Sequence, residues 1–339
     1  MSIIIFLNAL LSISLSIFLT KKYRILDFPD KVRKRHNKPI PLAGGIALIF
    51  FLIICFILYL IIFKNHITYL VISLFLISFI ILIGIYNDVF NTKPLTRLIL
   101  SSLAIFFFIS IDSKYIPEGN QILIKNLNFF LLNKNYILNY LSSIFFTILC
   151  FLLLQNAFNM IDGINGLALF FAIIWSLLLI KYSNIEFFGQ VIFSLLCFLI
   201  LFLLFNIKNK AFLGDGGNYG ISFLISTAII AVYNNSNNQI FVENIFLWLF
   251  IPGVDMLRVF ILRLCKKKNP FSPDRSHLHY ILLDNIGYKK TILFFILVVS
   301  VSLFVLEVYN FLILPVLLFN TLIYSYILMR FNNKRILIK

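Results

Sequence analysis

The sequence contains little charge for its length. Of its 339 residues, 12% are charged, 61% are hydrophobic and 17% are aromatic. A soluble globular chain carries about twice this share of charged residues. A folded core cannot hide such an apolar excess, because the surface of a soluble protein stays largely polar. The composition therefore argues against a soluble enzyme, a nucleic-acid binder and a disordered tail, and it predicts a polytopic membrane protein.

The sequence also lacks any grouping of its four cysteines. Cys55, Cys150, Cys197 and Cys265 lie far apart, and three of them fall inside apolar runs. No pair has the spacing of a metal site, and no disulfide framework is indicated. The net charge of +16 does not indicate a nucleic-acid partner. Its basic residues lie in loops between apolar runs, where they set the orientation in a lipid bilayer.

Long apolar runs dominate the chain. A helix needs about 20 residues to cross ~30 Å of hydrocarbon, and we expect eleven membrane spans. These are 3–20, 44–63, 67–86, 95–111, 137–155, 167–180, 187–205, 219–233, 240–262, 291–306 and 311–329. The fourth, sixth and eighth runs are short for a full span. We expect an all-α polytopic membrane protein with one domain over residues 1–339, no internal repeat and no soluble domain.

Lys and Arg divide unequally between the two sides of these spans. With the N-terminus outside, the inner segments hold 23 of them and the outer loops hold five. This asymmetry predicts a cytoplasmic C-terminus. The first run has no basic residue before it and Lys21 and Lys22 directly after it, which predicts an anchor rather than a cleaved signal peptide. The inner loops expected to carry chemistry are 21–43, 87–97, 156–166, 206–218 and 263–290.

Acidic residues gather on that predicted inner face. Asp88, Asp162, Asp215 and Asp255 lie at or beside span ends. Charge at membrane depth is costly, so each is a functional candidate. Two structural interpretations stay open, a boundary residue for the first of them and, for Asp255 with Arg258, a pair that neutralises itself inside the bundle.

Two inner loops combine polar groups with proline or glycine. Pro39 and Pro41 favour an extended approach to a Gly pair that opens the second span. Glycine at a helix N-terminus lets an anion approach the main-chain N–H groups. Residues 212–218 are predicted to form a Gly-rich turn before the eighth span, with Asp215 able to hold Mg²⁺. For the first loop, a basic segment that meets anionic lipid is an equally good interpretation.

Two further loops carry amide, acid and histidine side chains. Amide or acid groups recur every three residues from Asn156 to Asn165, a stripe that winds slowly around a helix until glycines break it. A polar seam between helices is the structural alternative. In the last large loop, Arg275, His277 and His279 would share one face of an extended segment as phosphate donors. Together these groups favour a phosphate-bearing substrate with a divalent metal.

These motifs resemble those of the polyprenyl-phosphate N-acetylhexosamine-1-phosphate transferases, a group of glycosyltransferase family 4 that includes the WecA and MraY types. The resemblance rests on five motifs in register over residues 20–285. They are Pro39-Ile-Pro41-Leu-Ala-Gly-Gly45, Asn87-Asp88, Asn156-Ala-Phe-Asn159-Met-Ile-Asp162-Gly, Phe212-Leu-Gly-Asp215 and Pro273-Asp274-Arg275-Ser-His277-Leu-His279. The last motif and the eleven spans resemble the GlcNAc-1-phosphate branch.

The resemblance implies a Mg²⁺-dependent membrane transferase, with Mn²⁺ as an alternative ion. Such an enzyme transfers a sugar 1-phosphate, expected here to be GlcNAc-1-phosphate, from a UDP-N-acetylhexosamine to undecaprenyl phosphate and releases UMP. The product would start a surface polysaccharide such as the lipopolysaccharide O-antigen, at the cytoplasmic face of the bacterial inner membrane. A homodimer is left open, and no nucleic-acid partner is implied.

The same resemblance implies roles for single residues. The catalytic residues would be Asp88, Asp162, Asp215 and His277, with Asp215 and Asp88 as metal ligands. The substrate-binding residues would be Lys38, Asn159, Asn165, Phe212, Arg275 and His279. Within that set, the Phe212 ring would lie against uracil, and the loop that contains Arg275 would bind the diphosphate.

Four positions depart from the pattern of the family. Two Asp positions are Asn87 and Asn165 here, a final His is Tyr280, and a Ser is Asn218. The loss of two carboxylates bears on the general-base and metal roles. A phosphate monoester is mostly dianionic at about pH 7, so the lipid nucleophile needs positioning more than deprotonation. A non-catalytic relative of the same fold is the main alternative, and a membrane transporter is the less favoured one.

Overall fold

The computed structural model describes residues 2–29, 36, 38–62, 67–115, 122–183, 186–235, 239–272 and 274–336. In chain order the helices are α1 (Ser2–Lys22), α2 (Gly44–Ile62), α3 (Ile67–Phe90), α4 (Pro94–Tyr115), α5 (Tyr140–Ile161), α6 (Leu167–Tyr182), α7 (Glu186–Ile207), α8 (Gly214–Asn235), α9 (Val242–Trp248), α10 (Phe250–Cys265), α11 (Leu278–Ile286), α12 (Tyr288–Val308) and α13 (Ile313–Ile336). The strands are β1 (Leu26–Asp27), β2 (Ile40–Pro41), β3 (Asn126–Phe129) and β4 (Lys134–Ile137).

The helices confirm the all-α polytopic membrane class. Within the described residues, nine of them are long and apolar enough to cross a membrane. α6 is apolar but has 16 residues, and α9 and α10 form one pair bent by 74°. Pro252 explains this break, because it has no N–H to donate to the carbonyl of Trp248 four residues earlier. The outside N-terminus and the cytoplasmic C-terminus stay predictions.

The chain divides into two compact units. The first unit comprises residues 1–126 and 137–239, and the second comprises residues 127–136 and 240–339. The expectation of a single domain over residues 1–339 stays a prediction.

α8 is the central helix of the first unit. Its apolar window is 94% buried, and α2, α3 and α5 pack against it. Glycine permits this close packing. A Cβ on Gly84 of α3 would lie 2.5 Å from the main-chain oxygen of Asp215, and a Cβ on Gly44 of α2 would lie 2.4 Å from that of Leu213. A side chain at either position would force the helices apart.

The structure corrects two expectations about glycine. The sequence predicts a turn over 212–218 before the eighth span, but α8 already begins at Gly214, so Asp215 lies in its first turn. The sequence also predicts that the Gly pair of α2 admits an anion, but these glycines pack against the main chain of Leu213 and Gly216. At Gly214 tertiary packing outweighs the low helix propensity of glycine, and at Gly44 and Gly45 the packed main chain fills the space that an anion would need.

The second unit combines the bent helix pair with α11, α12 and α13. Its apolar core contains Leu247, Leu306, Ile313 and Val316. The tip of the β3–β4 hairpin is held by Glu243 of α9, whose carboxylate accepts hydrogen bonds from two main-chain N–H groups of the hairpin, each at 3.1 Å. The loop after α10 leads to His277, directly before the first residue of α11.

Candidate active site

Asp88 joins α3 to the first turn of α8. Its Oδ1 accepts a hydrogen bond from the N–H of Asp215 at 2.8 Å, and its Oδ2 accepts one from the N–H of Gly216 at 3.1 Å. These N–H groups have no partner within a helix, and a carboxylate satisfies them well. Gly214 has φ +66°, and a Cβ there would lie 2.6 Å from the Asp88 carboxylate. Glycine at this position therefore lets Asp88 reach the helix end.

Asp215 receives two donors on one oxygen of its carboxylate. Arg97 of α4 donates from Nη1 to Oδ2 at 3.0 Å, and the Asn87 amide donates to the same atom. Thr92 donates to Oδ1 of Asn87 at 2.7 Å, which keeps the amide nitrogen turned toward Asp215. The side chain of Asp215 is still 19% exposed. Asn87, at a position where the family has an acid, thus acts here as a donor.

Asp162 and Asn159 share one donor from α8. Nδ2 of Asn218 donates to Oδ2 of Asp162 at 2.9 Å and to Oδ1 of Asn159 at 3.0 Å. Burial raises the pKa of Asp162 to about 7, against a lowering by Asn218, and the charge of Asp215 raises it further. Asn218 is 2% exposed, and its own Oδ1 has no hydrogen-bond partner among the described residues. A carboxyl group with such a pKa beside an unpaired acceptor is typical of a functional site.

The β1–β2 pair connects the first basic loop to Phe212. His36 binds Oδ2 of Asp27 through Nε2 at 2.9 Å and the carbonyl of Lys38 through Nδ1 at 2.8 Å. The edge of its ring meets the Phe212 ring, with centroids 5.5 Å apart. Phe212 itself donates its N–H to the carbonyl of Pro41 at 2.8 Å. Sequence analysis did not single out Asp27, although an acid in the same inner loop as His36 was the available signal.

Asn165 takes part in a link between two loops. Its Nδ2 donates to Oδ1 of Asn209 at 2.7 Å. Next to it, the N–H of Gly166, which has φ +82°, donates to Oδ1 of Asn206 at 2.6 Å. These contacts tie the start of α6 to the end of α7. The predicted substrate-binding role of Asn165 stays a prediction.

Asp255 accepts hydrogen bonds from several donor groups of the second unit. Its Oδ1 accepts from Nη2 of Arg258 at 2.7 Å and from the Tyr324 hydroxyl at 2.8 Å. Its Oδ2 binds Nδ1 of His277 at 2.9 Å, and the N–H of Leu278 lies 3.1 Å from both oxygens. The structure contains the Asp255–Arg258 pair named from the sequence, and it adds a histidine to it.

His279 and Arg275 lie beside this network. The rings of His277 and His279 are nearly parallel, with centroids 5.6 Å apart, although they lie at the start of a helix rather than on an extended segment. His279 is 1% exposed and burial lowers its pKa to about 3, so its ring is neutral at physiological pH. Arg275 binds Asp284 at 2.8 Å and stacks on Tyr280, with 4.3 Å from its guanidinium carbon to the ring centroid.

The predicted site residues fall into groups that belong to separate units. In the first unit, Asp88 and Asp215 meet at the N-terminus of α8, and Asp162 and Asn159 meet one helical turn further along, at Asn218. Phe212 and the exposed Lys38 belong to the loops of the same unit. Arg275, His277 and His279 belong to the second unit. The roles predicted for all these residues stay predictions.

The donor atoms around α8 fit a hard cation. Mg²⁺ takes oxygen ligands, commonly one or two carboxylates completed by water and substrate phosphates. Asp215, Asp162 and the unpaired Oδ1 of Asn218 are such donors. Both oxygens of Asp88 already accept main-chain N–H groups. The described residues contain no group of three or more His, Cys, Asp or Glu side chains in metal-binding geometry, so an ion here would depend on water and substrate for much of its coordination.

Comparison with known proteins adds an independent observation. The model of the family described as glycosyl transferase family 4 matches residues 70–233. An undecaprenyl-phosphate alpha-N-acetylglucosaminyl 1-phosphate transferase of Thermotoga maritima is 28% identical over 326 residues, which cover 94% of each chain. Proteins with the same name in Pasteurella multocida and Escherichia coli K12 are 28% and 25% identical, over 83% and 78% of this chain and 77% and 70% of their own lengths.

The matched segment coincides with the acidic cluster. Residues 70–233 include Asp88, Asp162 and Asp215, together with the helices α3, α5 and α8 that carry or adjoin them. The similarity to the Thermotoga protein runs through nearly the whole length of both chains. The chain is therefore similar to glycosyl transferase family 4 over the segment that carries the acidic cluster, and to the Thermotoga transferase over nearly its whole length.

Proposed function

We propose that the protein transfers an N-acetylhexosamine 1-phosphate, GlcNAc-1-phosphate in particular, from a UDP-sugar to undecaprenyl phosphate and releases UMP. One observation carries this proposal. The Asp215 carboxylate lies partly exposed at the N-terminus of α8, beside the Arg97 guanidinium, within the segment that the family model matches. The relatives are named undecaprenyl-phosphate alpha-N-acetylglucosaminyl 1-phosphate transferases, which supports the proposed acceptor and the transferred group.

The proposed chemistry is the displacement of one phosphate ester by another. An oxygen of the lipid phosphate attacks the phosphorus that carries the sugar. A new P–O bond forms, the bond from that phosphorus to the bridging oxygen of the diphosphate breaks, and UMP leaves with the electron pair. The lipid phosphate is mostly dianionic at about pH 7, so no proton has to be removed from it first. Catalysis then depends on positioning and on charge stabilisation.

The side chains around α8 suit these tasks. Mg²⁺, when bound by Asp215 and Asp162 or Asp88, would neutralise negative charge on the diphosphate. Arg97 keeps a positive charge next to Asp215, and Asp162, when it does not bind the ion, has a pKa near neutral and can hold a proton at this end of α8. The Phe212 ring offers a flat apolar surface for uracil. In the second unit, we assign Arg275 and His277 to the diphosphate.

We further propose that the reaction takes place at the cytoplasmic face of a bacterial inner membrane, and that its product starts a surface polysaccharide. The 23 Lys and Arg residues of the predicted inner segments, against five in the outer loops, support this orientation. The lipid tail would lie along the apolar outer surfaces of the spans. That surface is rich in exposed Ile, Leu and Phe side chains.

The proposal is tested with purified protein in vesicles that contain undecaprenyl phosphate. Radiolabelled UDP-GlcNAc is added with Mg²⁺, and label in the organic phase is measured. We expect label to move into the lipid, and to stay in water with EDTA or with the Asp215→Ala variant. Glu243→Gln, which alters an acid at the β3–β4 hairpin, is the matched control and should retain activity.

A panel of other UDP-N-acetylhexosamines decides between sugars. Transfer from one of them, but not from UDP-GlcNAc, would show that the protein uses a different sugar in the same reaction. No transfer from any donor by folded protein would contradict the proposal, and would favour a non-catalytic relative in which Asn87 and Asn165 have replaced acids.

A further inference from the structure

Asp255 makes more hydrogen bonds than a simple ion pair with Arg258 would require. Arg258 donates from Nη2 to the carbonyl of Ser276 at 2.7 Å as well as to Asp255. Asp255 accepts the N–H of Leu278. The residues directly before and after His277 are therefore both tied to this buried pair, and the His277 ring is bonded to it as well.

The hydrogen bond to Asp255 also determines which nitrogen of His277 carries a proton. A carboxylate can only accept, so Nδ1, which lies 2.9 Å from Oδ2, must be the N–H. The tautomer of a histidine is set by such a bond, and the other nitrogen is left to face a ligand. Asp255 is 6% exposed and His277 is 5% exposed, so little water competes for this contact.

We propose that Asp255 is a positioning residue that keeps His277 in one orientation with Nδ1 protonated, and thereby presents Nε2 to the diphosphate. Tyr324 completes the arrangement. Its hydroxyl accepts from Nε of Arg258 at 2.6 Å and donates to Oδ1 of Asp255 at 2.8 Å. The part about the ligand rests on the proposed function, whereas the part about the tautomer does not.

The geometry makes a specific prediction for Asp255→Asn. The Oδ1 position faces an Arg258 guanidinium and a Tyr324 hydroxyl, both donors. The amide oxygen of the variant will occupy that position, because an NH₂ group there would face a guanidinium that cannot lose its proton. The NH₂ group must then face Nδ1 of His277, which has to become an acceptor. In the variant, the His277 ring should therefore carry its proton on Nε2, which is the wrong tautomer for the same ring position.

The first experiment measures the tautomer without any substrate. The chain has four histidines, so selective ¹⁵N labelling of histidine gives few signals, and His277→Gln assigns the one of interest. We expect an Nδ1–H tautomer in the wild type, an Nε2–H tautomer in Asp255→Asn, and an unchanged Nδ1–H tautomer in Tyr324→Phe, which keeps the carboxylate. An Nε2–H tautomer in the wild type, or no change in Asp255→Asn with an unchanged melting temperature, would overturn the proposal.

The second experiment measures transfer activity in a double-mutant cycle. Asp255→Asn should lower kcat/KM about tenfold or more, and the double variant with His277→Gln should be no less active than His277→Gln alone, because both changes remove the same function. Additive losses would show that Asp255 acts separately from His277, and would overturn the proposal. Tyr59→Phe, which removes another buried hydroxyl bonded to Gln190 and Ser194, is the matched control and should keep full activity.

The two experiments separate the two proposals. A wild type that transfers no sugar, but shows the Asp255-dependent tautomer, would refute the proposed function and leave the positioning of His277 in place. An active wild type whose tautomer does not respond to Asp255→Asn would do the reverse.

Discussion

The two units use buried carboxylates in different ways. In the first unit, Asp215 has two donors on one oxygen and remains 19% exposed. In the second unit, the side chain of Asp255 is 8% exposed, and its two oxygens share four donor groups. The first carboxylate has room for a ligand, whereas the second is saturated by protein. An acid at a span end can therefore either bind a ligand or position the protein groups around it. The number of protein donors on its oxygens distinguishes the two roles.

The units also differ in how glycine is used. Gly84 brings α3 against the main chain of α8, where a Cβ would lie 2.5 Å from an oxygen atom. Gly253 in α10 has no atom within 4 Å of a Cβ placed on it. Close backbone contact builds the acidic cluster of the first unit, while side-chain hydrogen bonds build the histidine network of the second.

The largest effect should come from Asp215→Asn. The variant keeps the size of the side chain but removes the charge that faces Arg97. We expect transfer activity to fall by about 100-fold or more, a loss typical of a single electrostatic group at a reacting centre. Initial rates of lipid-linked sugar formation measure it, with Glu243→Gln as the control. An Asp215→Asn variant within threefold of the wild type would place the chemistry elsewhere.

Next in size is Gly84→Ala compared with Gly253→Ala. The first inserts a methyl group into the contact with Asp215 and should destabilise the protein by about 1–3 kcal/mol, the usual effect of overpacking. The second fills open space in a helix and should be neutral or stabilising by up to ~1 kcal/mol. Thermal unfolding in detergent measures both. Equal melting temperatures for the two variants would mean that α3 and α8 do not depend on this contact.

A smaller effect is expected for Asn87→Asp, which restores a carboxylate at a family position. It would face the carboxylate of Asp215 in place of an amide donor. Without a divalent ion the two charges repel, so the melting temperature should fall by a few degrees, and Mg²⁺ should reverse the fall. The control is Asn165→Asp, because the wild-type Asn165 bonds Asn209 and not Asp215. Its melting temperature should show no added response to Mg²⁺. If the melting temperature of Asn87→Asp did not respond to Mg²⁺, this result would argue against a cation site here.

The last prediction concerns pH. Burial raises the pKa of Asp162 to about 7, so the folded state binds its proton more tightly than the unfolded state, where the pKa is about 4. The contribution of Asp162 to the free energy of unfolding is fully present below about pH 4 and is lost as the pH rises toward 7. In the presence of EDTA, the melting temperature of the wild type should fall over this range more than that of Asp162→Asn. Parallel pH profiles would contradict the raised pKa.

The sequence predicts the membrane architecture well because apolar runs are local. Each of the eleven predicted runs overlaps a helix or, for 240–262, the bent pair α9 and α10, and α5 ends at Ile161, just before the glycines that follow the amide stripe. Local rules fail where distant segments meet. α8 begins at Gly214 because Asp88, 126 residues earlier, satisfies its free N–H groups.

The partners of the site residues were equally hidden. Asn218 bonds Asp162 across 56 residues, and His277 bonds Asp255 across 22. No periodicity connects such positions, so the sequence identifies the acids and histidines but not which of them pair. The resemblance to a family supplied the residue types, and only the packing of α8 and α10 shows what each one touches.

The most direct test of the account is the identity of the nucleotide that leaves. Vesicles with undecaprenyl phosphate and UDP-GlcNAc are sampled, and both the nucleotide and the lipid product are determined by mass spectrometry. The account predicts UMP and a lipid that carries a diphosphate-linked sugar, in equal amounts, since the phosphorus next to the sugar is the atom attacked. Release of UDP with a monophosphate-linked sugar would mean that the sugar carbon is attacked instead, and would contradict it.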